Sequence, residues 1–252
     1  MPATPSWYVI SLRPSGQHTA LRRAAARHGA GLIALSPWRL RLRDDAAARA
    51  GLKSALAAPR IVFTSPAAVR AALALQAFKP RRGQAWCAVG AGTAAALRRA
   101  GVAGVHVPAR MDSEGLLALP VLQDVGGHDV GLVTAPGGRG EITPALLARG
   151  ARVLRADVYV REPAALSTRM LQRLRDADAP LVLALSSADA LQRVLEAVPA
   201  DLAAKLRGAR VAAASERLRA LAQGHGFKHI VVAHSPRPAD LVAAAAQALP
   251  VG

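Results

Sequence analysis

The sequence predicts an α/β fold made of two similar domains with parallel sheets. Short apolar runs alternate along the chain with stretches rich in alanine, leucine and arginine, and connections of this length favour parallel strands joined by helices. The pattern occurs twice, because IVFTSPAAV at residues 61–69 resembles VLALSSADA at residues 182–190. A length of 252 residues is sufficient for two such domains.

Apolar runs bounded by glycine, proline and polar residues predict the strands. The predicted strands are residues 7–12, 31–35, 60–64, 85–89, 104–107, 130–134, 151–160, 181–185, 210–213 and 229–232. The stretches between them predict helices. The predicted helices are residues 18–28, 66–78, 93–100, 113–119, 143–149, 167–175, 188–198, 216–223 and 239–249. Two repeats in the same order predict two domains that face each other, with a ligand-binding cleft between them.

The chain is strongly basic. Its 33 lysine and arginine residues, most of them arginine, and 16 acidic residues give a formal net charge of +17. Two interpretations stay open: the partner is nucleic acid, a phosphorylated ligand or a polycarboxylate, or the arginines only cover helix faces. Aromatic residues make up 3% of the chain, which argues against the stacking surfaces of a single-strand nucleic-acid binder.

The single cysteine, Cys87, excludes an intramolecular disulfide and a cysteine-rich metal site, and it indicates a reducing compartment. Residues 1–6 lack the pattern of a secretory signal, and the longest apolar runs are about a third of a membrane span. We therefore expect a cytoplasmic protein without a membrane segment. His225, His229 and His234 do not predict a zinc site, because glycines interrupt any helix that would align them.

Serine and threonine residues follow several predicted strands. They are Thr64, Ser65, Thr93, Ser186, Ser187 and Ser215. Each could simply cap the next helix. However, the loops at the carboxyl ends of parallel strands line the binding crevice of open sheets, and hydroxyls beside helix N-termini bind carboxylates and phosphates. Together these residues predict an anion-binding rim.

A glycine-rich loop at residues 135–141 joins a predicted strand to a helix. Gly137 and Gly138 let backbone N–H groups approach an anion, and Arg139 can pair with it. The loop lacks the ending of a Walker A motif, and GAGTAA at residues 90–95 is only a relaxed dinucleotide fingerprint. Tyr159, one of two tyrosines, lies in a long extended segment; it is either an ordinary strand aromatic or a hydrogen-bond donor in the cleft.

Taken in order, these segments resemble the uroporphyrinogen-III synthase family. The matching pieces are Arg13-Pro14, IVFTSPAAV at residues 61–69, AVGAGTA at residues 88–94, SEGLL at residues 113–117, Gly137-Gly138-Arg139 with the helix that follows, Arg149-Gly150, Val158-Tyr159, Ser186 and Ser215-Glu216-Arg217. The resemblance covers nearly the whole chain. It departs at Leu218, where the family often has threonine.

The resemblance implies two α/β domains joined by two extended linkers. One domain would comprise residues 1–36 and 164–252, and the other residues 44–156. The linkers would be residues 37–43 and 157–163.

The resemblance also implies a reaction. The substrate would be hydroxymethylbilane, a linear tetrapyrrole with eight carboxylates, and the product uroporphyrinogen III, with the last pyrrole ring inverted, water released and no metal or organic cofactor used. Tyr159 would be the proton donor to the leaving hydroxyl. The groups implied to bind substrate carboxylates are Arg13, Thr64, Ser65, Thr93, Gly137, Gly138, Arg139, Ser186 and Ser215. We expect a monomer that contacts the bilane-producing deaminase transiently.

Two other classes stay open. A non-catalytic two-domain α/β anion-binding module would share the duplicated plan and the cleft, but it would not convert the bilane. A nucleic-acid-binding protein would share the charge, although the chain has no recognisable reading motif. Strongly salt-dependent binding of a random oligonucleotide would favour the latter.

Overall fold

The computed structural model describes residues 5–137 and 140–249. The strands are β1 (Trp7–Ser11), β2 (Ala30–Ala34), β3 (Trp38–Leu42), β4 (Arg60–Phe63), β5 (Ala85–Ala88), β6 (Val105–His106), β7 (Asp129–Thr134), β8 (Arg152–Asp157), β9 (Tyr159–Pro163), β10 (Leu181–Leu185), β11 (Arg210–Ala213) and β12 (Ile230–Val232). The helices are α1 (Thr19–Arg27), α2 (Ala46–Ala57), α3 (Pro66–Leu75), α4 (Ala91–Arg99), α5 (Ser113–Leu117), α6 (Ile142–Ala148), α7 (Thr168–Arg175), α8 (Ala188–Ala197), α9 (Ala200–Arg207), α10 (Glu216–Gly224) and α11 (Pro238–Gln247), with a 3₁₀ turn at Pro120–Leu122. Within the described ranges, none of these helices combines the length and the apolar character needed to cross a membrane.

The first compact unit, unit 1, contains Met1–Arg39 and Glu162–Gly252. Its sheet has the order β12-β11-β10-β1-β2, and neighbouring strands are parallel. Successive side chains of a strand point to opposite faces. Leu183 therefore packs with α7, α8, α9 and α10, whereas Val182 packs with α1 and α11. Unit 1 thus has an apolar core on each face of its sheet.

The second compact unit, unit 2, contains Leu40–Arg161. Its parallel sheet has the order β6-β5-β4-β7-β8. Phe63 of β4 packs with α2, α3 and α4, and its neighbour Val62 packs with α5 and α6 on the opposite face. Unit 2 is therefore also a sheet covered by helices on both faces.

The two sheets have the same strand order when the chain is read from a different starting strand. β4, β5, β6, β7 and β8 take the places of β10, β11, β12, β1 and β2. The repeated segments at residues 61–69 and 182–190 accordingly begin on equivalent strands. The predicted fold class, two similar α/β domains with parallel sheets flanked by helices, is confirmed.

The chain passes between the units at β3 and β9, and these two strands form a small sheet of their own. Beside them, Ala164 N donates to Pro37 O at 3.0 Å. The predicted linkers, residues 37–43 and 157–163, include these strands, and the domain limits drawn from the linkers stay a prediction.

The predicted single strand at residues 151–160 is wrong. β8 ends at Asp157 and pairs with β7, whereas β9 pairs with β3. Val158 lies at the break: its N–H donates to Thr134 O, and its carbonyl accepts from Arg43 N. The chain therefore changes hydrogen-bonding partners at this residue. The strand β3 and the helices α2 and α9 lie outside the elements that the sequence pattern predicts.

Candidate active site

The polar side chains predicted to form a rim lie where parallel strands end. They are Thr64, Ser65 and Thr93 in unit 2, and Ser186, Ser187 and Ser215 in unit 1. The carboxyl ends of parallel strands share one edge of a sheet, which is where open α/β sheets bind ligands. Each unit therefore has its own polar edge.

Tyr159 is the first residue of β9 and is buried, with 4% of its surface exposed. Its hydroxyl oxygen lies 3.1 Å from Ser65 Oγ. Ser65 also caps α3, because its Oγ accepts a hydrogen bond from Ala68 N at 3.0 Å. The proton of the Ser65 hydroxyl is thus available to the Tyr159 oxygen, and the phenol can keep its own proton for another acceptor.

Positive charge acts on Tyr159 from helix α3. Arg70 of α3 interacts electrostatically with Tyr159 and with Arg99 of α4. Burial lowers the pKa of Arg70, and the charge of Arg99 lowers it further. Arginine nevertheless stays charged at neutral pH, so Arg70 favours an anion near the phenol. The sequence pattern does not indicate Arg70, because an arginine on an alanine-rich helix is typical of an ordinary exposed face.

Thr64 is held by a second threonine. Its hydroxyl donates to Thr134 Oγ1 at 2.8 Å, and its backbone N–H donates to Val133 O at 3.2 Å. Thr134 ends β7, the neighbour of β4. The sequence pattern does not single out Thr134, although it too is a hydroxyl residue at the end of a strand.

Thr93 lies in the first turn of α4 and is buried, with 2% of its surface exposed. Within residues 5–137 and 140–249 its hydroxyl has no hydrogen-bond partner. The cap of this helix is Gly90, which has no side chain to bond the first N–H groups. The Thr93 hydroxyl and the free amides of α4 can therefore receive an anion.

Arg13 lies just after β1 and is half-buried. Burial lowers the pKa of Arg13. In the part of the chain that the structure describes, its guanidinium has neither a hydrogen bond nor an ion pair. Because a partly buried cation without a counter-ion is costly, this group is well suited to binding an anion.

The serines of unit 1 include two helix caps. Ser187 Oγ accepts from Ala190 N at 3.3 Å, and Ser215 Oγ accepts from Leu218 N at 3.4 Å. Leu218, where the resemblance leads one to expect threonine, is buried in the core of unit 1. Ser215 can still donate its proton to a ligand, and Ser186 is exposed.

The glycine-rich loop begins after β7. Gly137 is exposed and has a φ of +77°, which glycine adopts without strain. Ala135 O accepts a hydrogen bond from Arg155 Nη2 at 3.2 Å, so the start of the loop is tied to β8. Gly138 and Arg139, the other predicted residues of this loop, lie outside the described residues.

Unit 1 also contains a buried histidine, His18, which the sequence pattern does not indicate as a functional residue. His18 Nδ1 is 2.9 Å from Ser11 Oγ, and His18 Nε2 is 2.8 Å from Ser36 Oγ. Ser11 is the last residue of β1 and is fully buried. A serine at the end of an otherwise apolar strand is the one feature that could have pointed to this group.

Cys87 lies in the apolar core of unit 2, among residues of α5 and α6. It is buried in β5, and burial raises the pKa of its thiol to about 12, so the thiol is unreactive. Among the side chains that the structure describes, no group of three His, Cys, Asp or Glu residues could hold a metal ion.

Comparisons with known proteins agree with this architecture. The HEM4 family profile, described as uroporphyrinogen-III synthase HemD, matches residues 19–243. A mutant uroporphyrinogen III synthase from Thermus thermophilus is similar at a TM-score of 0.61, with 18% identity, covering 96% of this chain and 98% of that chain. Uroporphyrinogen-III synthetase from Helicobacter pylori gives a TM-score of 0.60, with 12% identity and the same coverage of 96% and 98%. These two structures show the shared fold, and the profile covers most of the chain, which therefore belongs to the uroporphyrinogen-III synthase family.

Proposed function

We propose that the protein is a hydro-lyase that cyclises hydroxymethylbilane to uroporphyrinogen III, with inversion of the last pyrrole ring and release of water. Membership of the family supports this function. The observation that carries it is the buried Tyr159 hydroxyl, in contact with Ser65 and under the influence of the cationic Arg70.

The first step is the departure of the terminal hydroxyl of the bilane. Tyr159 donates its proton to that oxygen, so that water leaves and an azafulvene cation remains. Ser65 stabilises the phenolate oxygen by donating a hydrogen bond, and Arg70 stabilises its negative charge. A positioned general acid of this kind contributes roughly 10²–10⁴-fold to a rate.

Ring closure follows from the position of the substrate. The substituted carbon of the last pyrrole ring attacks the azafulvene carbon and forms a spiro intermediate. Fragmentation of the spiro intermediate and reclosure at the other α-carbon of the same ring invert that ring, and the proton lost from this α-carbon balances the proton given to the leaving hydroxyl. Most of the rate control comes from folding the flexible bilane so that its two ends meet.

The carboxylates of the substrate require cationic and hydrogen-bonding partners. The chain has 33 basic and 16 acidic residues, and the resulting positive charge suits such a ligand. Arg13 offers a guanidinium without a hydrogen bond or ion pair among the described residues, and Thr93 offers its hydroxyl beside the first N–H groups of α4, which have no side-chain cap. We assign the same task to the other predicted groups. They are Thr64, Ser65, Gly137, Gly138, Arg139, Ser186 and Ser215.

We also propose that the reaction needs no metal or organic cofactor, because a general acid and correct positioning account for each step. The protein would act as a monomer in the cytoplasm, where its free thiol, Cys87, stays reduced. Transient contact with the deaminase that supplies the bilane would shorten the time available for spontaneous closure to isomer I.

Isomer analysis tests this function. Hydroxymethylbilane is generated in situ, the purified protein is added, and the oxidised products are separated into uroporphyrins I and III. We expect mostly isomer III in proportion to the protein added, without added metal, and isomer I in the control without protein.

The same experiment separates the alternative. A well-folded protein that leaves only isomer I would exclude the synthase and favour a non-catalytic anion-binding module. Retained binding of an octacarboxylate porphyrin by that sample would support the module directly.

A further inference from the structure

A buried hydrogen-bond chain in unit 1 has no part in the steps described above. It runs from Ser11 through the His18 ring to Ser36, with distances of 2.9 Å and 2.8 Å. Ser11 is fully buried, and 7% of the His18 surface is exposed. Buried polar groups are costly unless they are bonded, and here both ring nitrogens have partners. The arrangement is therefore complete and specific.

His18 holds the N-cap position of α1 but does not cap the helix. Its backbone is helical rather than extended, and its side chain makes no hydrogen bond to the helix. Serine, threonine, aspartate and asparagine are preferred at such positions, and Ser65, Ser187 and Ser215 cap their helices in this protein. A residue that departs from the local rule in this way indicates a role elsewhere.

That role concerns the loop of Arg13. The loop leaves β1 after Ser11 and ends at His18, so the bond between these two residues joins its ends. The bond from His18 to Ser36 ties the closed loop to the segment that follows β2. Arg13 thus lies on a segment whose ends are fixed, and its guanidinium is without a counter-ion among the described residues.

We propose that His18 is a positioning residue: through Ser11 and Ser36 it holds the Arg13 loop in the conformation that binds a carboxylate of the substrate. That the carboxylate belongs to hydroxymethylbilane rests on the proposed function. The structural link between His18 and the Arg13 loop does not depend on that function.

The ring serves this purpose in its neutral form. Burial lowers the pKa of His18, as do the charges of Arg22 from α1 and Arg13 from the loop, and no acidic group among the described residues opposes them. A neutral imidazole has one donor and one acceptor, so one serine donates and the other accepts. A second proton would make both nitrogens donors and place a positive charge beside Arg13, which disturbs the loop.

Binding of uroporphyrin III, an octacarboxylate that the protein does not convert, tests the link without turnover. Fluorescence quenching gives the Kd for the wild type, Arg13→Ala, His18→Ala and the double variant. We expect each single change to raise the Kd about tenfold, and the double variant to be scarcely weaker, because both changes remove one contact. The KM for the bilane should rise in parallel while kcat stays within about twofold.

Two further variants distinguish the two bonds of the ring. The amide of His18→Asn lies near the former Nδ1 and can keep the bond to Ser11. The longer His18→Gln side chain places its amide near the former Nε2 and can keep the bond to Ser36. If closure of the loop is what matters, His18→Asn retains most of the affinity and His18→Gln does not.

Matched controls isolate the effect. Arg173→Ala removes the same charge from α7 of unit 1, where the guanidinium stacks over the Tyr8 ring at 5.3 Å. Its Kd should change by less than about twofold, because Tyr8 is near the start of β1 and the loop follows the other end of that strand. Val242 is a buried residue of α11 in the core of unit 1. Val242→Ala should lower the stability of unit 1 and leave the Kd unchanged.

Three results would overturn the role of His18. They are an unchanged Kd in folded His18→Ala, effects of His18→Ala and Arg13→Ala that multiply in the double variant, and a wild type that does not bind uroporphyrin III. A wild type that binds it but makes no isomer III rejects the proposed function alone, and the titration still decides the role of His18.

Discussion

Ser65 uses one hydroxyl for two tasks. Its oxygen accepts the cap bond from Ala68 N, and the same oxygen is in contact with Tyr159 Oη. From sequence, capping and ligand binding are competing interpretations of a serine that precedes a helix. In the folded protein they are compatible, because a hydroxyl has one proton and two lone pairs. Cap geometry is therefore no argument against a residue of the site.

The phenol of Tyr159 can be tested without disturbing the core. Tyr159→Phe removes one buried hydroxyl, and we expect kcat for isomer III to fall about 10²-fold with little change in KM, because the proton donor is lost. Tyr8→Phe, which changes the only other tyrosine, is the control and should retain activity. Unchanged turnover in folded Tyr159→Phe would remove this residue from the mechanism.

The lowered pKa of His18 predicts how stability depends on pH. In the unfolded chain a histidine takes up its proton near its ordinary pKa of about 6.5, whereas in the fold protonation requires more acid. The contribution of neutral His18 is thus complete above that value and is lost as the pH falls through the folded-state pKa. Urea unfolding at pH 7.5 and pH 5.5 should show a larger loss for the wild type than for His18→Asn; equal losses would contradict the prediction.

At the residue scale, the predictable part of the site is the part that depends on local position. Thr64, Thr93 and Ser215 follow strands, and a strand end can be recognised from a single apolar run. The chain from Ser11 to Ser36 is different, because its contacts depend on how the loop and β2 come together. No local pattern records that contact.

At the scale of elements, strands β10 and β11 agree with the predicted residues because their apolar runs are short and sharply bounded. Helix α2 is harder to recognise. Half of its residues are alanine and Gly51 lies in the middle, so the contrast between its buried and exposed faces is small. The division of residues 151–160 into β8 and β9 occurs at Val158, whose N–H and carbonyl form hydrogen bonds with two different segments of the chain. These bonds depend on tertiary structure and not on the local sequence.

Helix α2 also imposes a testable constraint on β7. A Cβ atom at Gly131 would clash with Ala55 O, a backbone atom of α2 that cannot move aside cheaply. We expect Gly131→Ala to lower the free energy of unfolding by about 2–3 kcal/mol through overpacking. Gly104→Ala is the matched control, because nothing lies within 4 Å of its Cβ position. Similar urea midpoints for the two variants would show that the helix shifts freely.

For the whole molecule, the presence of two similar domains can be predicted from the sequence, because the two repeats preserve both order and spacing. The circular shift between β4-β5-β6-β7-β8 and β10-β11-β12-β1-β2 follows from the same repeats. What a sequence repeat does not contain is the set of side-chain pairs in each copy. Unit 2 has the pair of Thr64 and Thr134, whereas unit 1 has the bonds of His18.

The formal net charge of +17 predicts a dependence on salt. Electrostatic attraction of a polyanion is screened over about 10 Å at 0.1 M ionic strength. Raising KCl from about 0.05 M to about 0.5 M should therefore increase the KM for the bilane severalfold and leave kcat nearly constant. A salt-independent KM would mean that the carboxylates bind through neutral donors alone.

The burial of Cys87 makes alkylation of its thiol a measure of how often unit 2 opens. It is the only thiol of the chain, it lies in β5 within the core shared with α5 and α6, and its high pKa keeps it protonated. An alkylating reagent can reach it only when the sheet of unit 2 opens. The rate of alkylation in the native protein therefore reports the local opening of that sheet, at a single native side chain and without an introduced label.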